Sequence, residues 1–135
     1  MSQYVLPIRV YLEDTDSQGV VYNASYFRFL ERARTEWLRA RGVDHNELMQ
    51  RDGVVLVLVG TEVRFTRPAR LDDMVYVTAE LAELKRARFI FNQSIRRESR
   101  DGEVVCVGKA EVACMDVEQR KPRRVPAELM SELTQ

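Results

Sequence analysis

The chain has one histidine and two cysteines. A zinc site draws on about four nitrogen or sulfur ligands held close together, so no zinc site is expected. The cysteines are Cys106 and Cys114. If both lie on one strand, eight positions place them about 26 Å apart at the usual strand rise. A disulfide needs Cα atoms within about 7 Å. An internal disulfide is therefore not expected, and this cysteine usage reads as cytosolic. No charge sign dominates: 21 Lys and Arg stand against 21 Asp and Glu. Nothing global points to nucleic acid or to an anionic membrane. Long apolar runs are missing too. The longest, Val54 to Val59, is far below the roughly 20 residues that cross a bilayer as a helix. No apolar segment follows a basic start, so no secretory leader is expected. Repeats, low-complexity tracts and domain linkers are also missing.

What is present suits one ordinary domain, residues 1–135, with 45% hydrophobic residues. Val5–Leu12 reads as a first strand. Residues 24–41 read as a long amphipathic helix with Asn23 as N-cap and Gly42 as stop. Tyr26, Phe29, Leu30, Ala33, Trp37 and Ala40 follow helical spacing and form its apolar face. Arg28, Arg32, Thr35, Glu36 and Arg39 fall opposite. Asp44 followed by Glu47 is a capping-box signal for a second, short helix ending near Gly53. The period then changes to two. Val54–Val59 with Thr61–Arg67, Met74–Leu84, Arg88–Arg97 and Glu103–Val117 read as four strands. Asp101-Gly102 is a hairpin signal. Leu71-Asp72-Asp73 and Lys85-Arg86-Ala87 read as the other turns, and a short helix is expected from Ala127. A long helix followed by consecutive antiparallel strands defines an α+β architecture, a curved sheet wrapping the helix. The open edges of such a sheet make self-association the physical expectation.

The stretch richest in chemistry runs from Glu13 to Tyr26: Glu13-Asp14-Thr15-Asp16-Ser17-Gln18-Gly19-Val20-Val21-Tyr22-Asn23-Ala24-Ser25-Tyr26. Asp16 stands just before a glycine turn and the start of the long helix. The first N–H groups of a helix lack intrahelical partners and favour an oxygen that is becoming negative. A carboxylate facing such donors is suited to attack on a carbonyl. An aspartate ionises near pH 3.9 in water, so it is ready as base or nucleophile at neutral pH. On composition alone, Asp, Ser and Gly are ordinary turn residues.

The run resembles the signature of hotdog-fold acyl-CoA thioesterases, the 4-hydroxybenzoyl-CoA thioesterase-like family and its Tol–Pal-associated bacterial relatives. Tyr11, Glu13-Asp14-Thr15-Asp16, Gly19-Val20-Val21-Tyr22, Tyr26 and Glu31-Arg32-Ala33-Arg34 carry the likeness. Phe65 and Pro68-Ala69-Arg70-Leu71-Asp72-Asp73 form a second match. The resemblance implies a hotdog fold and a homodimer or homotetramer with active sites shared between chains. It places the catalytic carboxylate at Asp16 and leaves Asp14 structural. It implies that the backbone N–H at Asn23 polarises the thioester carbonyl and that Tyr22 contacts substrate. The Tol–Pal-associated branch usually has histidine where this chain has Asn23, and asparagine exchanges no proton near neutral pH. Glu31 is sufficiently explained by pairing with Arg34 or Thr35. His45 reads as solvated.

Two substrate-arm regions follow. Gly60-Thr61 lies where relatives contact the pantetheine arm, with strand geometry as the plain alternative. Lys85, Arg86 and Arg88 form a basic cluster at a turn, either simply solvated or meeting the phosphates of coenzyme A. Hydrolysis of an acyl-CoA thioester is thus the leading expectation, and it calls for no metal or redox cofactor. The carrier, coenzyme A or acyl carrier protein, stays open. Two rivals remain. A non-catalytic acyl-CoA-binding or scaffold protein of the same fold is one. An acyl-thioester hydratase or dehydratase is the other, weakened because Val21 stands where such enzymes place a histidine.

Overall fold

The computed structural model describes residues 3–135. Its elements are β1 (Gln3–Arg9), a 3-10 turn (Leu12–Asp14), α1 (Asn23–Arg39), α2 (His45–Asp52), β2 (Val54–Phe65), β3 (Met74–Leu84), β4 (Arg88–Arg97), β5 (Val104–Asp116) and α3 (Ala127–Leu133). The strands form one antiparallel five-stranded sheet in the order β1-β3-β4-β5-β2. α1 packs on β3, β1 and β4, and α2 packs on β2. This is the expected α+β architecture, a hotdog fold. Met74–Leu84 and Arg88–Arg97 are strands with the expected bounds.

Period-two alternation explains the sheet's inner face. Val75, Val77, Ala79 and Leu81 of β3 are buried, as are Phe89, Phe91 and Ile95 of β4. Tyr26, Phe29, Leu30, Ala33 and Trp37 of α1 close over them. Trp37 meets Phe91 edge-on at 5.2 Å and 84°. Each such large side chain contributes roughly 1.5–3 kcal/mol through burial. The helix stripe differs from its expected form at one end. Ala40 is exposed and Leu38 is buried instead, although Ala40, the C-cap, keeps helical angles and its N–H donates to Glu36 O.

Other boundaries shifted for local reasons. β1 stops at Arg9 rather than Leu12, because Leu12–Asp14 coils into a 3-10 turn. The helix cap is also reassigned. Tyr22 is the N-cap of α1, with no side-chain cap bond, and Asn23 is the first helical residue. Asp44 does cap α2, its carboxylate accepting from the N–H groups of Asn46 and Glu47. Val54–Phe65 runs as one strand with an irregularity between Leu58 and Gly60. The hairpin after β4 forms where Asp101-Gly102 marks it, with Glu98 rather than a glycine at positive φ. Gly102 is needed there for close approach. A Cβ would stand 1.9 Å from the Arg97 carbonyl oxygen. Cys106 and Cys114 both lie on β5, buried and unbridged.

The sheet's two edges are β1 and β2, and β2 carries the longest apolar run, Val54–Val59. β2 pairs only with β5, and Val57, Leu58, Val59 and Phe65 stay exposed. Among the described residues no helix is long and apolar enough to cross a membrane.

Candidate active site

Two sequence motifs meet to build the cleft. Residues 15–21 fold back on themselves: the Asp16 N–H donates to Val20 O at 2.9 Å, and the Gly19 N–H donates to Asp16 O at 3.1 Å. Gly19 holds φ +77, a conformation that side chains resist. The Asp16 carboxylate accepts the Gln18 N–H at 2.8 Å, an Asx turn that fixes the start of the loop. The returning arm then pairs with the Pro68–Asp73 segment. Val21 N–H donates to Ala69 O at 2.8 Å, and Leu71 N–H donates to Gly19 O at 3.2 Å. The second motif is therefore the frame of the first.

Asp14 ties the same loop to α1. Its carboxylate accepts the Tyr11 N–H at 2.9 Å and stands 3.7 Å from the Arg28 guanidinium. Its carbonyl accepts from the Tyr22 N–H at 2.9 Å and from the Ser25 hydroxyl at 3.1 Å. Buried and multiply bonded, Asp14 is spent on structure. Asp16 is exposed, and it lines the cleft.

That cleft, about 440 Å³, is lined by Asp16, Tyr22 and Asn23 on one side and by Phe65, Thr66 and Arg67 on the other. Its volume lies within the usual range of about 300–1,000 Å³ for small-molecule sites. The N-terminus of α1 opens into it. No side chain caps this helix, and of its first-turn N–H groups that of Ser25 donates to Tyr22 O at 2.8 Å, which leaves those of Asn23 and Ala24 to an external oxygen. Tyr26 forms part of the wall. Its hydroxyl accepts the Ala69 N–H at 3.0 Å, and burial pushes its pKa above the usual tyrosine value. Its ring stacks toward Phe65 at 5.5 Å, and Phe27 meets Phe65 edge-on at 6.4 Å. The arrangement pairs a solvent-facing carboxylate with an uncapped helix start beside an aromatic wall.

The expected site residues fall in two places. Asp16, Tyr22 and Asn23 share the cleft. Gly60, Thr61 and Lys85 share a separate shallow cavity of about 460 Å³ on β2, β5 and the turn after β3. Arg86 and Arg88 line neither of these two cavities. Arg88 pairs with Glu111 at 3.0 Å, and Lys85 stands 3.8 Å from Glu83. Lys109 of β5 joins the Gly60 cavity. Nothing in its local sequence marked it, since the pairing of β5 with β2 is what brings it there. Thr66 and Arg67 were likewise not singled out, and they enter the cleft because they follow the end of β2. His45, the sole histidine, lines a different cavity with Arg34 and Leu38. Among the described residues no group of three or more His, Cys, Asp or Glu is placed to hold a metal ion.

A fold of this topology with an acidic loop at an uncapped helix defines a hotdog protein of the thioesterase type. Residues 10–133 match the family model described as the thioesterase-like superfamily, and the chain belongs to that family. It is 40% identical over 131 residues to the acyl-CoA thioester hydrolase YbgC of Escherichia coli O6:H1, covering 96% of this chain and 94% of that one. It is 37% identical over 128 residues to the acyl-CoA thioesterase YbgC of Haemophilus influenzae, covering 93% and 90%. Among solved structures, the 1,4-dihydroxy-2-naphthoyl-CoA thioesterase Slr0204 from Synechocystis superposes with a TM-score of 0.89 at 21% identity, covering 98% of this chain and 96% of that one. That last likeness speaks for the fold.

Proposed function

We propose that this chain, as one catalytic domain over residues 1–135, hydrolyses an acyl-CoA thioester to a free carboxylic acid and coenzyme A. The observation that carries the reading is the shared cleft of Asp16 and the uncapped start of α1. The N–H groups of Asn23 and Ala24 polarise the thioester C=O and take up charge as the carbonyl oxygen becomes an oxyanion. Asp16 either attacks the carbonyl carbon or takes a proton from the attacking water. Attack by Asp16 forms an aspartyl anhydride and expels the coenzyme A thiolate; water then cleaves the anhydride. Water activation reaches the acid in one addition and one elimination. Tyr22 borders the incoming thioester. The names and extensive coverage of the YbgC relatives support the acyl-CoA class.

The carrier arm lies along the Gly60-Thr61 cavity, with Lys85, Arg86 and Arg88 meeting phosphate. An acyl carrier protein thioester presents the same pantetheine arm without the nucleotide. Because the nucleotide region and the cleft are separate on one chain, a second copy supplying one of them is part of the proposal. The exposed apolar edge β2 favours a homodimer, or a homotetramer built from dimers. The free, buried Cys106 and Cys114 support a cytoplasmic location.

The test is a thiol-release assay over a panel of acyl-CoA thioesters with aliphatic and aromatic acyl groups. Release of free coenzyme A that scales with enzyme is the expected result. Tight binding of acyl-CoA with no release would make this an acyl-CoA-binding protein instead, and addition of water across an enoyl group would make it a hydratase.

A further inference from the structure

Among the described residues, one buried cation makes no ion pair. Arg34 of α1 is 8% exposed. Among the described residues no carboxylate stands within ion-pair distance of its guanidinium, although exposed helix arginines have such partners, Arg28 with Asp14 and Arg39 with Glu36. A buried charge ordinarily comes with an opposite charge, because desolvation is costly. Arg34 instead donates one bond, from Nη1 to Gln93 Oε1 at 2.9 Å. Gln93 is itself fixed. Its amide nitrogen donates to Leu30 O at 2.9 Å and to Thr78 O at 3.2 Å, so its oxygen has to face Arg34. The guanidinium is therefore anchored at one corner by a neutral group, with its other donors left over.

Arg34 lines a cavity of about 370 Å³ between α1, α2 and the sheet. No Arg34 nitrogen is sealed in packed protein without a partner. Thr35 and His45 stand with Arg34 at the polar end, while Leu56, Phe91 and Val112 form an apolar wall. Glu31 lies at the exposed mouth. Burial lowers the Arg34 pKa from its usual value, and the Glu31 charge partly offsets this. The solvated Glu31 is screened more strongly than the buried guanidinium, so an anion deep in the cavity feels mainly Arg34.

We infer that this cavity is a binding site for an amphipathic carboxylate, its carboxyl oxygens on the free Arg34 N–H groups and its hydrocarbon body on Leu56, Phe91 and Val112. A planar guanidinium with two free donors matches a carboxylate bidentately. Two sources carry that chemistry. One is a free carboxylic acid, the product class of the proposed reaction. The other is the distal carboxylate of an acyl group still held at the cleft. Arg34 lies 11 residues along α1 from Asn23, about 16 Å at 1.5 Å per residue, a span that a long dicarboxylic acyl chain covers. Only the naming of these sources rests on the proposed hydrolysis; the cavity chemistry does not.

Calorimetric titration tests the site without turnover. Octanoate is titrated against octanamide into the wild-type protein, and dodecanedioyl-CoA against dodecanoyl-CoA into Asp16→Asn. The carboxylate form binds about tenfold or more tightly in at least one pair, as expected for a charge-assisted bidentate contact. Preference in the first pair identifies a free acid, and preference in the second alone identifies the acyl tail. Arg34→Met, made in each background, removes the preference. His45→Trp fills the same cavity from an exposed position on α2, away from the β2 edge, and leaves Arg34 in place. It abolishes carboxylate binding even if Arg34→Met does not fold. Equal affinities within both pairs, or a preference that survives His45→Trp, would overturn the site. Absence of hydrolysis with intact octanoate preference would refute the proposed activity and leave this site standing.

Discussion

The Tyr26 hydroxyl accepts the backbone N–H of Ala69 across 3.0 Å, joining the first turn of α1 to the second sequence motif. Both residues are buried, Ala69 completely. Tyr26→Phe keeps the ring but leaves that N–H without an acceptor, which costs about 1–3 kcal/mol. Chemical denaturation of the variant is expected to show that loss. An unchanged denaturation midpoint would mean that the bond contributes nothing.

Cys106 and Cys114 are predicted to be silent in the native protein. Burial pushes Cys106 up to about 12 and Cys114 up to about 11, from an ordinary 9.0. Only the thiolate reacts, so a thiol reagent at about pH 8 should find neither group until the chain is unfolded. Two thiols per chain should then appear. The sign for stability follows from the raised values. The unfolded thiols ionise first, so their contribution is full below pH 9.0 and declines as pH rises toward 11 and 12. Rapid labelling of native protein at neutral pH would contradict the burial. The silence also leaves a thiol-release assay free of background from the enzyme.

Asn23 is expected to act through its backbone. It is the first helical residue and not the cap, so Asn23→Ala should change stability by no more than about 0.5 kcal/mol and retain most turnover. The cleft contains no histidine, so removing the chain's one histidine in His45→Gln should leave the pH profile of kcat/KM unchanged. A limb near neutral pH that vanishes in His45→Gln would overturn this. So would a stable Asn23→Ala protein with no activity.

Replacing Arg86 and Arg88 together with alanine should raise KM for acyl-CoA more than it lowers kcat, since phosphate contacts contribute mainly uniform binding. Loss of Arg88 also frees Glu111 from its 3.0 Å ion pair, on the rim of the Gly60 cavity. The effect should shrink for a pantetheine thioester without the nucleotide. Equal loss on both substrates would remove these arginines from the nucleotide site.

Local patterns made much of this molecule legible before folding. Alternation located β3 and β4 to the residue, and Asp44 and Gly53 marked both ends of α2. The acidic loop and the Pro68–Asp73 segment were legible as motifs, but their pairing through Val21 and Ala69 is a long-range backbone contact that no local pattern encodes. Asn23 has the residue type that favours a cap, whereas the Tyr22 N–H is held by the Asp14 carbonyl and the helix begins at Asn23, one residue earlier than an Asn23 cap would set it. The burial of Arg34 is not legible in the sequence for a similar reason. An arginine beside a glutamate on a helix looks like a surface pair, and only the packing of β4 against α1 brings Gln93 to it.

The central claim is that the Asp16 carboxylate performs the chemistry of the cleft. Asn at this position keeps the shape and can still accept the Gln18 N–H that fixes the loop, so the fold should persist. The direct measurement is the single-turnover and steady-state release of coenzyme A by Asp16→Asn, alongside its denaturation curve. With a wild-type-like denaturation curve, kcat is predicted to fall about 10²–10⁴-fold for a general base, and further for a nucleophile. A folded Asp16→Asn protein that releases coenzyme A at nearly the wild-type rate would contradict the account.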